Sequence, residues 1–169
     1  FALTLEYLEA DFYTEGLAAS GLIPAADQPV FAQISKHENA HVALLTGVLG
    51  SAAVAKPPID LTAKGAFADV LTNYATFQAV AQGFEDTGVR AYKGQAGNLI
   101  GSSVLQTALQ IHSVEARHAS EIRRLRGQKG WITQAQTDVN ALAAVYAGED
   151  NHVQLGVTLA ASGAATEAF

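Results

Sequence analysis

The sequence predicts an all-α protein: a four-helix bundle of two antiparallel helix pairs joined by a long crossover, with a short C-terminal helix and a tail. Three observations lead there. Apolar residues recur at helical spacing in four long stretches, the breaks between those stretches are rich in Pro and Gly, and no segment alternates as a strand does. The first stretch sets Phe1, Leu5, Leu8 and Phe12 on one stripe and ends near Gly21, where the loop GLIPAADQP carries two prolines. A second helix runs from about Pro29 to Leu49 on Phe31, Ile34, Leu44, Leu45 and Val48, with Gly50 as its C-cap. Residues 50–65 form a linker, because Pro57 and Pro58 forbid helix there. A third helix is expected over roughly 66–93, a Gly-rich turn over 94–102, and a fourth helix over about 103–127 on Val104, Leu105, Leu109, Ile111 and Ile122. Ile132, Val139, Leu142 and Val145 keep enough period for a shorter fifth helix over about 131–147. Residues 148–169 are small and aperiodic, an arm that another surface could order. The expected domains are a bundle over 1–127 and a C-terminal helix with an Ala/Gly-rich tail over 128–169.

Composition narrows the function classes. A chain of 169 residues, 49% of them hydrophobic, fits one domain with a substantial core, and no apolar run reaches the roughly 18 residues of a membrane span. The net charge of −6 and the scattered Lys and Arg argue against nucleic acid as a partner. The one basic group, Arg123, Arg124 and Arg126, suits a helix C-terminus, where the helix dipole favours cations. With no cysteine, the chain has no disulfide, zinc–thiolate site, iron–sulfur cluster or thiol nucleophile. It also has no methionine, and FALTLEYLEADFY already reads as helix interior. The natural protein is therefore expected to continue upstream, with any targeting signal out of view.

One pattern occurs twice. Glu6 is followed seven residues later by Tyr13, and the next helix carries Glu38 and His41 as Glu-x-x-His; Glu85 is followed seven residues later by Tyr92, and the next helix carries Glu115 and His118 in the same spacing. Residues three apart on a helix share a face, so each Glu-x-x-His can address one centre. A Glu from each of two helices plus Glu-x-x-His from each of the other two is the plan by which helix bundles hold two iron or manganese ions. Register agrees. The midpoint of Glu6 and Glu38 is residue 22, in the first loop, and that of Glu85 and Glu115 is residue 100, in the Gly-rich turn, so both hairpins set their ligands on a common rung. The 50–65 linker must then run the length of the bundle. Sixteen extended residues reach roughly 50 Å, against roughly 38 Å for a helix of about 25 residues.

With LTLEYLEADFY, HENAH, FEDTGVRAY and HSVEARHASEIRRL, the chain resembles the ferritin-like superfamily over about residues 1–127. It is most similar to the ferritin-like domain of bacterial exported and plant desiccation-related proteins. The resemblance implies a ferritin-like four-helix bundle with metal ligands Glu6, Glu38, His41, Glu85, Glu115 and His118 around two metal ions, Fe or Mn. Tyr13 and Tyr92 would lie beside the metals as candidate catalytic residues. It further implies redox chemistry on O2, H2O2 or Fe(II) in oxidative or desiccation stress protection, and an extracytoplasmic location. Rubrerythrin-type peroxidases often add a Cys-rich electron-transfer domain; here the electron donor would be external. Two other functions stay in view: metal binding or storage without turnover, and a scaffold that assembles or docks through its tail.

Several neighbours are open. Glu9 lies one turn from Glu6 on the same stripe, so either could ligate; the matching Tyr spacing in both halves favours Glu6. His112 lies one turn before Glu115, behind the site or on the surface. His37 points away from His41 and reads as structural or exposed, and Tyr7 and Asp86 read as packing or solvated groups. A third Glu-x-x-His, Glu149 to His152, follows Gly148 without a helix to support it and reads as incidental.

Overall fold

Helix boundaries in the computed structural model, which describes residues 1–154 and 156–158, follow the breaks in the sequence with two exceptions. The four helices are α1 (Ala2–Ala18), α2 (Gln28–Leu49), α3 (Tyr74–Gln95) and α4 (Leu105–Leu125). Pro29 sits in the first turn of α2, where its missing N–H costs nothing, and Gly50 ends that helix at a φ of 53°. Single 3-10 turns, Gly50–Ala52 and Ala96–Leu99, follow α2 and α3. α1 packs on α2, α3 on α4, and α1 on α3, the arrangement of two joined hairpins. Among the described residues no helix is long and apolar enough to cross a membrane.

The first exception is the start of α3. The crossover extends to Asn73, whose Oδ1 accepts from the N–H groups of Ala75 (3.0 Å) and Thr76 (3.4 Å) and so caps α3. Ahead of it, Ala63 and Lys64 hold positive φ and Asp60 binds the N–H groups of Thr62 and Lys64, a turn that keeps 61–72 from joining the helix. The crossover lies along α1: Lys56 pairs with Asp11 at 2.8 Å, Tyr7 donates to the Val54 carbonyl at 3.4 Å, and Val70 is buried in the core. The second exception is the C-terminal helix, which is shorter than expected and of 3-10 form, Asn140–Tyr146. Gln134 has a φ of 54°, left-handed backbone that breaks a continuous α-helix over 131–147. A two-residue antiparallel hairpin, β1 (Val153–Gln154) with β2 (Val157–Thr158), follows. The rest of the expected docking arm, residue 155 and residues 159–169, lies outside the described residues.

The core fills the end of the bundle that holds the 19–27 loop. Phe12, Tyr13, Phe31, Ile34, Phe77, Val80 and Ile122 meet there, with Phe12 stacked on Phe77 at 4.6 Å and Phe84 set edge-on at 5.0 Å. Each fully buried Phe is worth about 1.5–3 kcal/mol. At the other end, Leu5, Val48, Leu49, Leu99, Val104 and Ala108 help line an apolar cavity of about 270 Å³. Gly16 allows α1 to approach α3, because a Cβ there would stand 2.3 Å from Phe77 Cε2. Gly16→Ala should therefore lower stability by about 1–2 kcal/mol, overpacking outweighing the gain in helix propensity. Thermal melting of the two proteins checks this; an unchanged or raised melting temperature would mean that the Phe77 ring yields freely.

Candidate metal centre

Between the aromatic core and the apolar cavity, all four helices turn acidic side chains inward. Glu6 comes from α1, Glu38 and His41 from α2, Glu85 from α3, and Glu115 and His118 from α4; the four carboxylates are fully buried and the two imidazoles nearly so. The structure brings all six together. They form two overlapping groups whose ligand atoms lie within 4.8 Å of one another, Glu6–Glu38–His41–Glu115 and Glu38–Glu85–Glu115–His118. Glu38 and Glu115 belong to both groups, Glu6 and Glu85 to one each.

The geometry within each group is that of a nitrogen facing three carboxylates. His41 Nδ1 stands 3.1 Å from oxygens of Glu6, Glu38 and Glu115. His118 Nδ1 stands 2.9 Å from Glu38, 3.1 Å from Glu85 and 3.4 Å from Glu115. One N–H cannot serve three acceptors. Glu38 Oε1 and both oxygens of Glu115, although within ion-pair reach, are buried without a hydrogen bond. Leaving charged acceptors unsatisfied away from water is costly. A divalent cation in each group would satisfy them, and two such ions would balance the charge of four carboxylates with both imidazoles neutral. Carboxylate oxygens with imidazole nitrogens suit iron or manganese.

Hydrogen bonds fix the outer carboxylates. Tyr13 O–H donates to Glu85 and Tyr92 O–H to Glu6, so each tyrosine serves the acid of the opposite half. Burial, then the adjacent carboxylate, pushes both phenols above their ordinary range. Without cations, the imidazoles take over the neutralising role. Burial alone would lower them, but close contact with the carboxylates of Glu115, Glu38 and the outer acids holds His41 up at about 11 and His118 at about 12. Burial raises Glu6 to about 7 and Glu85 well above the carboxylate range, whereas the facing imidazoles outweigh burial at Glu115, held at about 2, and lower Glu38.

The open neighbours resolve unevenly. Glu9 is 3% exposed and buried beside the site, although outside both four-residue groups; burial and then the charges of Glu85, Glu115, Glu38 and Glu6 raise it well above the usual range. His37 contacts the site, contrary to its reading as structural or exposed: its Nδ1 is 2.8 Å from His118 Nε2. His112 belongs to neither group, and its Nε2 is buried without a hydrogen bond. Asp86 and Arg123 are not solvated groups or simple dipole charges. Arg123 holds Asp86 with both guanidinium nitrogens, Tyr146 O–H donates to Asp86 at 2.7 Å, and Gln82 donates to the Tyr146 oxygen at 3.1 Å. That buried network pins the C-terminal segment against α3 beside Glu85. The sequence held one signal for it: Arg123 lies four residues after Ala119 and eight after Glu115, on the buried stripe of α4. Glu149, of the third Glu-x-x-His, is engaged by Arg90.

Linkage sets how the metal-free protein responds to pH. A histidine raised from 6.5 to about 11 or 12 stabilises fully below pH 6.5 and loses that contribution as pH climbs. Glu6, raised from 4.5 to about 7, costs stability over that interval as pH rises. Glu115, lowered from 4.5 to about 2, stabilises above 4.5 and loses that contribution toward 2. The chelator-treated protein should therefore melt highest between about pH 4.5 and 6.5 and lower at about pH 9. Metal must displace the imidazole protons, so metal affinity should rise over the same range. Melting curves with and without Mn(II) test both; equal melting temperatures at the two pH values without metal would contradict this charge arrangement.

The sequence model of one protein family, described as ferritin-like domain, matches residues 1–128. No curated protein and no solved structure matches the chain.

Proposed function

From the premise that this chain belongs to the ferritin-like domain family, we propose that it is a dinuclear iron or manganese protein that acts on O2, H2O2 or Fe(II). The observation that carries this reading is the set of buried, unpaired oxygens on Glu38 and Glu115, shared by two groups that each complete themselves with one further Glu and one His. Glu38 and Glu115 would serve both ions, Glu6 and Glu85 one each, and His41 and His118 would supply the nitrogens. Bound iron or manganese would supply the redox steps.

The chain's own groups do the rest. Tyr13 and Tyr92 orient Glu85 and Glu6 and keep a proton within reach of each carboxylate. The aromatic core closes the site from one end of the bundle. At the other end the apolar cavity reaches Tyr92, a place for a small uncharged oxidant next to Glu6. With no cysteine in the chain, electrons would come from an external donor. A stress-protective role and an extracytoplasmic location belong to this proposal on the strength of the resemblance alone.

Elemental analysis of protein purified without chelators should give about two Fe or Mn ions per chain, the number of such groups in dinuclear bundles. A Glu38→Ala, Glu115→Ala double variant, which removes the shared ligands, should hold none. Loaded protein should consume peroxide or oxidise Fe(II) faster than a Glu115→Ala control. Absence of metal even after anaerobic loading would end the dinuclear reading. Two bound ions without turnover would leave a metal-binding protein in place of an enzyme.

A further inference from the structure

The two halves of the site correspond ligand for ligand, and two of the neighbouring positions at which they differ bear on one of the halves. One turn after Glu6 comes Glu9, whereas one turn after Glu85 comes Gly88. Before Glu38 stands His37, whereas before Glu115 stands Val114. Both departures fall on the same side of the site.

Glu9 crosses from α1 toward α3. A Cβ on Gly88 would stand 3.3 Å from Glu9 Oε1 and 3.4 Å from Glu115 Cγ, so the side chain that position 88 lacks is the space the Glu9 carboxylate uses. Glu9 makes no side-chain hydrogen bond among the described residues, and its carboxylate and the side chain of Glu115 share the space beside Gly88. His37 stands behind His118. Its Nδ1 is 2.8 Å from His118 Nε2, the two rings lie within 9° of parallel, and its Nε2 is 2.8 Å from the side-chain amide of Gln33 at the surface. His41 has no such support: among the described residues its hydrogen bonds run only from Nδ1 to carboxylates.

We infer that the two metal positions are unequal, and that the one between Glu85 and His118 is the primary site, with Glu9 as an additional carboxylate ligand and His37 fixing the His118 ring from behind. This rests on the dinuclear reading above. A ligating imidazole is oriented by the acceptor of its outer N–H, and only His118 has another imidazole in that place. A further carboxylate adds a hard oxygen donor and a negative charge to the same position. Glu9 stands outside the two compact groups, so ligation requires its side chain to turn from Gly88 into the site. The four nearby carboxylates repel it in the absence of a cation, and a cation there reverses the sign of that force.

The test is titration of chelator-treated protein with Mn(II), free ion being read by electron paramagnetic resonance. Wild type should bind two ions in separate steps, the first at least about tenfold tighter. His37→Val, which installs the residue of the other half, should weaken the first step by roughly 10- to 100-fold and leave the second unchanged. His37→Asn, which keeps an acceptor where Nδ1 stands, should recover most of that loss. Glu9→Gln, equal in shape but uncharged, should weaken the same step at least as much. Two equal affinities in wild type, or variants that weaken both steps alike, would overturn the inference while leaving the dinuclear reading intact. No Mn(II) bound by wild type would overturn both.

Discussion

Everything in this fold is arranged around a concentration of negative charge that water cannot reach. Five glutamates, Glu6, Glu9, Glu38, Glu85 and Glu115, are buried within one rung of the bundle. Ionised carboxylates so placed repel one another strongly, and their desolvation is severe. Two kinds of partner meet that cost, phenolic O–H groups from Tyr13 and Tyr92 and imidazoles from His41 and His118, and the proposed cations would be a third. The first two leave oxygens of Glu38 and Glu115 unpaired. A bundle designed only for stability would place leucine at these positions.

The surrounding structure supplies the stability that this rung lacks. The stacked aromatic core at the loop end joins α1, α2 and α3, and the close approach at Gly16 lets α1 and α3 bring Glu6 and Glu85 within reach of each other's tyrosines. The buried Asp86–Arg123 pair, completed by Tyr146, binds the C-terminal segment over α3 and α4. It holds α3 at the residue next to Glu85, so the segment beyond the bundle helps set the position of a ligand. The crossover does the same for α1 through Asp11 and Tyr7.

Internal twofold resemblance is a simple way to build a two-ion site, because one helix hairpin used twice gives paired ligands at equal height. Equality is also a constraint, since two identical positions share one affinity and one chemistry. The replacements at Gly88 and His37 change the environment of one position without disturbing the ligands common to both. A glycine on α3 makes room for a carboxylate from α1, and a histidine on α2 backs an imidazole from α4. Neither change works within a single hairpin.

That distinction separates what the sequence determined from what the tertiary structure decided. Spacing of three along a helix, and equal distance from a turn, are properties of the local chain, so the Glu-x-x-His pairs and the common rung were legible in the residues alone. So were the prolines and glycines that separate the helices. The start of α3 at Tyr74 and the short 3-10 turn at Asn140–Tyr146 were not, because the turns at Asp60 and Gln134 override the apolar period. His37 is four residues before His41, about 40° around the same helix, so α2 alone already turns it toward the ligand face; that it stands behind His118 depends on where α4 lies. Glu9 shares the stripe of Glu6 along α1, and only the space left at Gly88 shows where its carboxylate goes. Periodicity assigns a residue to a face of its own helix; what stands opposite that face depends on how the helices rotate and approach, and that is set by packing.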